Sequence, residues 1–171
     1  MAAVPERVRQ TVALLGVDPA DRLLEIGCGG GAAVELLCPL LDTGTVTALD
    51  RSPTAVARAL GRNAGPVRRG RAAVVRAAFT AADLDAAGLS GERYDKIFSI
   101  DVNLFWTGPA DAELALVRSL LAPGGALYAC YEPPGQRLEE IAARVTAAFE
   151  RAGFTPELVR AAPFVGIVGH P

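Results

Sequence analysis

Short apolar segments alternate along the chain with longer stretches in which apolar residues recur at helical spacing. Glycine, proline and polar residues bound the short segments, which is typical of buried strands. The pattern predicts five successive strands, at residues 22–26, 45–49, 72–77, 94–100 and 126–131. Because strands that alternate with helices need crossover connections, we expect a parallel sheet covered by helices on both faces.

The stretches between these strands predict helices with clear end signals. Ser52 followed by Pro53 places an N-cap residue before a proline at the first helical position. Gly153 follows the last long amphipathic stretch, as is typical just after a helix. The predicted helices cover residues 31–41, 52–63, 110–121 and 135–152, with a shorter one at residues 4–15.

Two further strands are predicted at the end of the chain, at residues 154–161 and 164–169. Only Ala162 and Pro163 separate them, which is too few residues for a parallel crossover, so they should form an antiparallel hairpin. The predicted fold is therefore α/β, a single doubly wound, mostly parallel seven-stranded sheet that ends in an antiparallel β-hairpin. No repeat or linker interrupts the chain, so residues 1–171 are expected to form one domain.

Composition excludes several classes of function. Of 171 residues, 51% are hydrophobic and 21% charged, which excludes a disordered chain. The net charge of −2 gives no overall basic field for nucleic acid. No apolar run is long enough for a membrane span, and the charged N-terminus does not resemble an export signal. Cys28, Cys38 and Cys130 lack disulfide or metal spacing. We expect a cytoplasmic protein without a metal.

A glycine-rich segment, LLEIGCGGG at residues 23–31, follows the first strand and precedes a helix. Glycines there allow sharp turns and a close approach of the backbone to a ligand. The following helix N-terminus offers free N–H groups and a partial positive charge. Many nucleotide-binding proteins share this pattern, so the glycines alone do not identify the ligand.

Two acidic residues add to the binding chemistry that the glycine segment predicts. Glu25 lies in an otherwise apolar strand, where an unpaired carboxylate is costly to bury. It would bind either a cationic ligand or backbone N–H groups of the loop, and we favour the ligand. Asp50 ends the second strand, where an acid can accept hydrogen bonds from a ribose diol. Its alternative role is to cap the helix at Ser52, but Ser52 supplies that cap itself.

Five motifs in order resemble those of the class I S-adenosylmethionine-dependent methyltransferases. They are LLEIGCGGG at 23–31, TALD at 47–50, YDKIFSIDVN at 94–103, LLAPGGALY at 120–128, and AGF at 152–154 before the closing hairpin. The resemblance covers nearly the whole chain. DVNLFW at 101–106 is also similar to small bacterial methyltransferases. The resemblance implies S-adenosylmethionine as the cofactor and methyl transfer as the activity.

The resemblance also implies which residues hold the methionine end of the cofactor. Glu25 and the backbone of Gly27 would bind this end, including its ammonium group. Cys28 and Gly29 would line the loop beneath it. Asp101, at the end of the fourth strand, would lie near the sulfonium.

For the adenosine end, the resemblance assigns Asp50 to the ribose and Arg51 to the adenine. The family usually has an acidic or amide residue after the third strand, where this chain has Ala78. Adenine recognition would then depend on Phe79, through its backbone or its ring, or on Asp83. Phe79 could equally be an ordinary core residue.

Methyl transfer is an in-line attack on an activated methyl group, so the protein mainly supplies proximity and alignment. A catalytic base is not evident, because the single histidine is His170, the penultimate residue. Asn103 and Tyr131 are the predicted catalytic residues, by their position after the fourth strand and at the end of the fifth. Trp106 and Glu132 are further candidates to face the acceptor.

The acceptor is expected to be a small molecule. The pocket should be wide and open, which would suit a large acceptor, a second subunit of a homo-oligomer acting as a lid, or a short helix at residues 4–15 folding over the ligand. An arginine-rich region at residues 58–76 could track RNA phosphates, but a solvated surface is the favoured interpretation. A nicotinamide-dependent oxidoreductase is disfavoured because Glu25 precedes the glycine loop. A non-catalytic, methyltransferase-like binding subunit remains an alternative, since Ala78 replaces the expected adenine-binding acid.

Overall fold

A computed structural model describes residues 3–133 and 137–171. Its seven strands form one sheet in the order β3-β2-β1-β4-β5-β7-β6. The strands are β1 (Arg22–Ile26), β2 (Thr45–Asp50), β3 (Ala72–Arg76), β4 (Tyr94–Ile100), β5 (Leu121–Tyr131), β6 (Thr155–Ala161) and β7 (Phe164–His170). Strands β1 to β5 pair in parallel, and β7 runs antiparallel to both β5 and β6. The predicted fold class and the closing hairpin are confirmed.

Seven α-helices lie within the described residues. They are α1 (Glu6–Leu15), α2 (Ala32–Leu37), α3 (Pro53–Arg62), α4 (Ala64–Arg68), α5 (Ala81–Ala86), α6 (Asp111–Leu120) and α7 (Leu138–Arg151). The predicted start of the last helix, at residue 135, lies outside the described residues. In the part of the chain that is described, no helix has the length and apolar character to cross a membrane.

Four segments differ from the sequence prediction. The helix predicted at 31–41 ends at Leu37 and continues as a 3-10 turn, Cys38–Leu40, which contains Pro39. Helices α4 and α5 were not predicted. Strand β5 begins at Leu121 rather than at residue 126, because Leu121 pairs with Tyr94 before the register shifts and pairing resumes at Ala126.

The sheet separates two apolar cores. On one face, α1, α2 and α3 contribute Val8, Leu15, Val34, Leu37 and Ala59 to a buried cluster with the strands. On the other face, α5, α6 and α7 pack through residues that include Leu84, Leu114, Val117, Val145 and Phe149. Helices therefore cover both faces, as the alternating apolar pattern requires.

The order of strands reverses between β1 and β4, which are adjacent in the sheet but not in the chain. Ligands of open α/β sheets bind beyond the carboxyl ends of the strands at such a point. The classical dinucleotide-binding sheet has the order 3-2-1-4-5-6. Here β7 is inserted antiparallel between β5 and β6, which argues against the oxidoreductase alternative.

Candidate functional site

The glycine loop after β1 is fixed by hydrogen bonds to the end of β2. The N–H groups of Gly27 and Cys28 both donate to the carbonyl oxygen of Leu49, each at 2.8 Å. Gly27, Gly29 and Gly31 have φ values of 75°, 51° and 72°. These left-handed conformations are strained for residues with a Cβ atom, so the glycines are needed for the path of the loop.

Two of these glycines also lie so close to neighbouring residues that a side chain would not fit. A Cβ atom at Gly27 would lie 2.7 Å from Cγ2 of Val102, which follows β4. A Cβ atom at Gly31 would lie 2.5 Å from Nδ2 of Asn63. That buried amide donates to the carbonyl oxygens of Gly31 and Ala59, at 3.0 Å each, and so ties the loop to α3.

The carboxylate of Asp50 supports the loop from the end of β2. One oxygen accepts the N–H of Gly29 at 2.9 Å, and the other accepts the N–H of Ser52 at 2.8 Å. The Oγ atom of Ser52 separately caps α3 by accepting the N–H of Ala55 at 3.3 Å. Asp50 is thus not the side chain that caps α3, and each of its oxygens keeps a lone pair for a hydroxyl donor.

Glu25 is buried, with only 3% of its surface exposed. Its Oε2 atom has no hydrogen-bond partner among the described residues. The pKa of Glu25 is raised to about 8, mainly by burial and to a smaller extent by the negative charge of Asp50. A buried carboxylate of this kind is stabilised by a cation, so the predicted preference of Glu25 for a positively charged ligand has a physical basis.

Two cavities open on the glycine loop. The first, here called the Glu25 cavity, has a volume of about 330 Å³ and is lined by Glu25, the loop, the start of α1 and Asp101. The second, the Asp50 cavity, has a volume of about 440 Å³ and extends along the ends of β2, β3 and β4. Gly27 lines both cavities. An elongated ligand could therefore occupy both by crossing this residue.

Most of the predicted cofactor residues lie around these two cavities. Cys28, Gly29 and Asp101 line the Glu25 cavity with Glu25. Burial raises the pKa of the Cys28 thiol to about 12, with added contributions from Glu25 and Asp50. The thiol is therefore a lining group and not a reactive thiolate.

The Asp50 cavity is lined by Arg51, Ala78, Phe79 and Asn103, among other residues. Phe79 also belongs to the buried core, as one of its two interpretations expects. A contact of Phe79 with adenine stays a prediction. The suggestion that Asp83 reaches the adenine has no support in the geometry. Asp83 forms a local cap at the start of α5, where its N–H donates to Oγ1 of Thr80 and its carboxylate accepts the Thr80 hydroxyl.

Asp101 has a left-handed backbone, with φ of 54°, which is uncommon for a residue other than glycine. One carboxylate oxygen accepts the N–H of Glu132 at 2.8 Å. The other forms an ion pair with Nε of Arg7 at 2.8 Å. Asp101 therefore joins the end of β4 to the segment after β5 and to the N-terminal helix.

Tyr131 is the predicted catalytic residue that the structure does not bring to the site. It is 2% exposed, packs in the core that includes α7, and lines neither of the two cavities. Burial raises the pKa of its hydroxyl well above the usual range. Trp106 likewise packs against this core, with the guanidinium of Arg137 4.8 Å from the ring centroid. A direct role for Tyr131 in catalysis gains no support here.

Some arginines in the region at residues 58–76 form contacts within the chain. Arg62 pairs with Glu35 at 3.2 Å, and Arg71 donates to the carbonyl oxygen of Gly44 at 2.9 Å. These contacts favour the solvated-surface interpretation over a phosphate-binding one. The predicted absence of a nucleic-acid partner stays a prediction.

Sequence reasoning did not single out three residues that shape the site: Arg7, Asn63 and Val102. Asn63 is the last residue of a predicted helix, and Arg7 is one of several charges in the N-terminal segment, so neither carries a local signal for the site. Their roles depend on contacts with residues far away in the sequence, which no local pattern reveals.

Residues 24–127, more than half of the chain, match the family model described as "Methyltransferase domain". The chain belongs to this methyltransferase domain family. The match confirms the predicted resemblance to class I methyltransferases, and with it S-adenosylmethionine as the family's cofactor and methyl transfer as its enzyme class.

Two curated relatives of this methyltransferase domain carry the name trans-aconitate 2-methyltransferase. The protein from Streptomyces avermitilis is 34% identical over 79% of the chain, and the one from Delftia acidovorans is 29% identical over 71%. The chain spans less than half the length of either relative, 44% and 43% respectively.

Among solved structures, the methyltransferase domain is similar to a SAM-dependent methyltransferase from Aquifex aeolicus. The TM-score is 0.73 at 16% identity, covering 95% of this chain and 88% of the other. At this identity the likeness concerns the fold, and it agrees with the sheet order and the closing hairpin described above.

Replacing Asp50 by alanine is expected to weaken binding of S-adenosylhomocysteine by about 10- to 100-fold, since charged hydrogen bonds contribute about 1.5–3 kcal/mol each. The loop would also lose its support at Gly29 and Ser52. Titration calorimetry measures the effect. Asp42→Ala, an exposed aspartate before the same strand, is the control and should bind as the wild type does. Equal affinities for the two variants would contradict the role of Asp50.

Proposed function

We propose that this methyltransferase domain transfers a methyl group from S-adenosylmethionine to a small-molecule acceptor by in-line displacement. The observation that carries the proposal is the shared position of Gly27 between the Glu25 and Asp50 cavities. S-adenosylmethionine has an amino-acid group at one end and an adenosine at the other. A ligand of that form suits two cavities that meet at a residue without a side chain.

The residues present fit this cofactor. Glu25 offers a buried carboxylate oxygen, without a partner among the described residues, to an ammonium group. Asp50 offers acceptor lone pairs to the ribose hydroxyls. Ala77, Ala78 and Phe79 give the Asp50 cavity an apolar wall, which suits the flat face of an adenine.

When bound, S-adenosylmethionine supplies a methyl group on a sulfonium, which is already activated for nucleophilic attack. The chain itself would hold the two reactants in line and exclude water between them. Asp101 is engaged by Arg7 and by the N–H of Glu132, which suits a positioning role better than proton abstraction. Asn103 lines the Asp50 cavity and remains the predicted residue nearest to the acceptor.

A small acceptor is supported by the two relatives, whose names specify trans-aconitate. The contacts of Arg62 and Arg71 within the chain point the same way, because they reduce the basic surface available to RNA. We therefore infer a small organic acid as the acceptor to test first.

The proposal is tested by binding and then by turnover. Calorimetry with S-adenosylmethionine and S-adenosylhomocysteine should show binding at one site. Incubation with S-adenosylmethionine and a panel of small organic acids that includes trans-aconitate should then release S-adenosylhomocysteine, measured by mass spectrometry. No heat and no thermal shift at millimolar ligand would contradict the cofactor assignment. Binding without turnover on that panel would favour the alternative of a non-catalytic subunit or a different acceptor.

A further inference from the structure

Arg7 lies at the start of α1, on the wall of the Glu25 cavity. Ala3, Pro5 and Val8 of the same segment also line this cavity. The N-terminal segment therefore forms part of the site and not only a cover on the sheet. The packing of α1 through the buried Val8 and Leu15 holds the segment in this position.

Both acidic and basic side chains line the Glu25 cavity. Glu25 and Asp101 are acidic, and the cationic groups among the described lining residues are Arg7 and Arg62. Arg62 lies 3.2 Å from the carboxylate of Glu35 on α2. Arg7 contacts Asp101 through its Nε atom. Since a guanidinium carries five N–H donors in a planar fork, Arg7 can hold Asp101 and a second anion together.

The amino-acid end of the proposed cofactor carries an ammonium and a carboxylate. Glu25 suits the ammonium, but the carboxylate would be repelled by Glu25 and Asp101 unless a cation lay beside it. The start of α1 lines this cavity, and the positive end of its helix dipole adds to the positive potential there.

We propose that Arg7 binds the carboxylate of the cofactor's amino-acid group, and that it selects ligands that carry this carboxylate. The inference rests on the proposed function for the cofactor itself and adds the residue that recognises its charged end. Asp101 is the positioning residue, because its ion pair orients the guanidinium at the cavity wall. The helix α1 thereby becomes part of the cofactor site.

The test compares two ligands that differ by one carboxylate: S-adenosylhomocysteine and its decarboxylated analogue, S-adenosyl-3-thiopropylamine. The wild type should bind the first more tightly, by about 10- to 100-fold, which corresponds to a charge-assisted hydrogen bond. Arg7→Gln should lose this preference by weakening only the binding of S-adenosylhomocysteine. Calorimetry gives both affinities for each variant.

Two further variants separate recognition from folding. Arg7→Lys keeps the charge but not the fork, and should retain part of the preference for the carboxylate. Arg9→Gln removes an arginine from the same helix that is exposed and does not line the cavity, and it should behave as the wild type. Thermal unfolding of each variant confirms that the helix is still formed.

Each result decides between the two assignments. If Arg7→Gln weakens both ligands equally, or neither, the carboxylate role of Arg7 is wrong while the cofactor assignment stands. If the wild type binds both ligands with equal affinity, no residue of the chain reads the carboxylate and the inference fails. If the wild type binds neither ligand, the proposed cofactor is wrong, and the inference about Arg7 is wrong as well.

Discussion

Replacing Gly27 by valine is expected to abolish binding of S-adenosylmethionine and S-adenosylhomocysteine. The residue has a φ of 75°, which valine adopts only with strain, and an added Cβ atom would lie 2.7 Å from Cγ2 of Val102. The valine side chain would also stand at the junction of the two cavities. Calorimetry at millimolar ligand should detect no heat of binding.

The control for this variant is Gly61→Val, on the exposed side of α3. A Cβ atom at Gly61 meets no atom within 4 Å and the residue needs no left-handed backbone. Its affinity for the cofactor should equal that of the wild type. If Gly27→Val kept the wild-type affinity, the cofactor would have to bind away from the glycine loop.

Replacing Glu25 by glutamine is expected to remove the pH dependence of cofactor binding. The pKa of Glu25 is raised to about 8 by burial and by Asp50, so this residue must lose a proton before it can pair with an ammonium. Wild-type affinity for S-adenosylhomocysteine should therefore rise between pH 6 and 8, by up to about tenfold per pH unit. The variant should bind weakly, with a flat profile.

The same residue sets a pH dependence for the stability of the protein without cofactor. Glu25 keeps its proton in the folded state up to about pH 8 but releases it near pH 4.5 when unfolded. The free energy of unfolding should therefore fall as the pH rises through this interval. Denaturant unfolding at several pH values should show a shallower fall for Glu25→Gln. Glu157→Gln, an exposed change on β6, should keep the wild-type slope.

The strands could be predicted from sequence because each is a short apolar run between breaking residues. The order of the sheet could not, since β1 pairs with β4 through contacts that no local pattern encodes. Helix α4 contains Gly65 and Pro66, which argue against a helix in isolation. The short helix α5 does carry a local signal, the Thr80–Asp83 cap, that sequence analysis had not used.

The candidate site, like the fold, could be predicted from the sequence only in part. Glu25 and Asp50 were predicted because an acid at the end of an apolar strand is unusual wherever the strand lies. Tyr131 was predicted only from its position at the end of β5, but its side chain packs in the core, since alternate residues of a strand face opposite sides of the sheet. Arg7 could not be assigned a role until the fold brought α1 against the end of β4.

The double use of the Asp50 carboxylate constrains any redesign of this methyltransferase domain. The same two oxygens that would meet a sugar hold the backbone of Gly29 and Ser52 in place. A substitution meant to admit a modified nucleoside would therefore loosen the turn on which the rest of the ligand lies. Altering cofactor preference here requires new hydrogen-bond acceptors for the N–H groups of Gly29 and Ser52, introduced together with the new side chain.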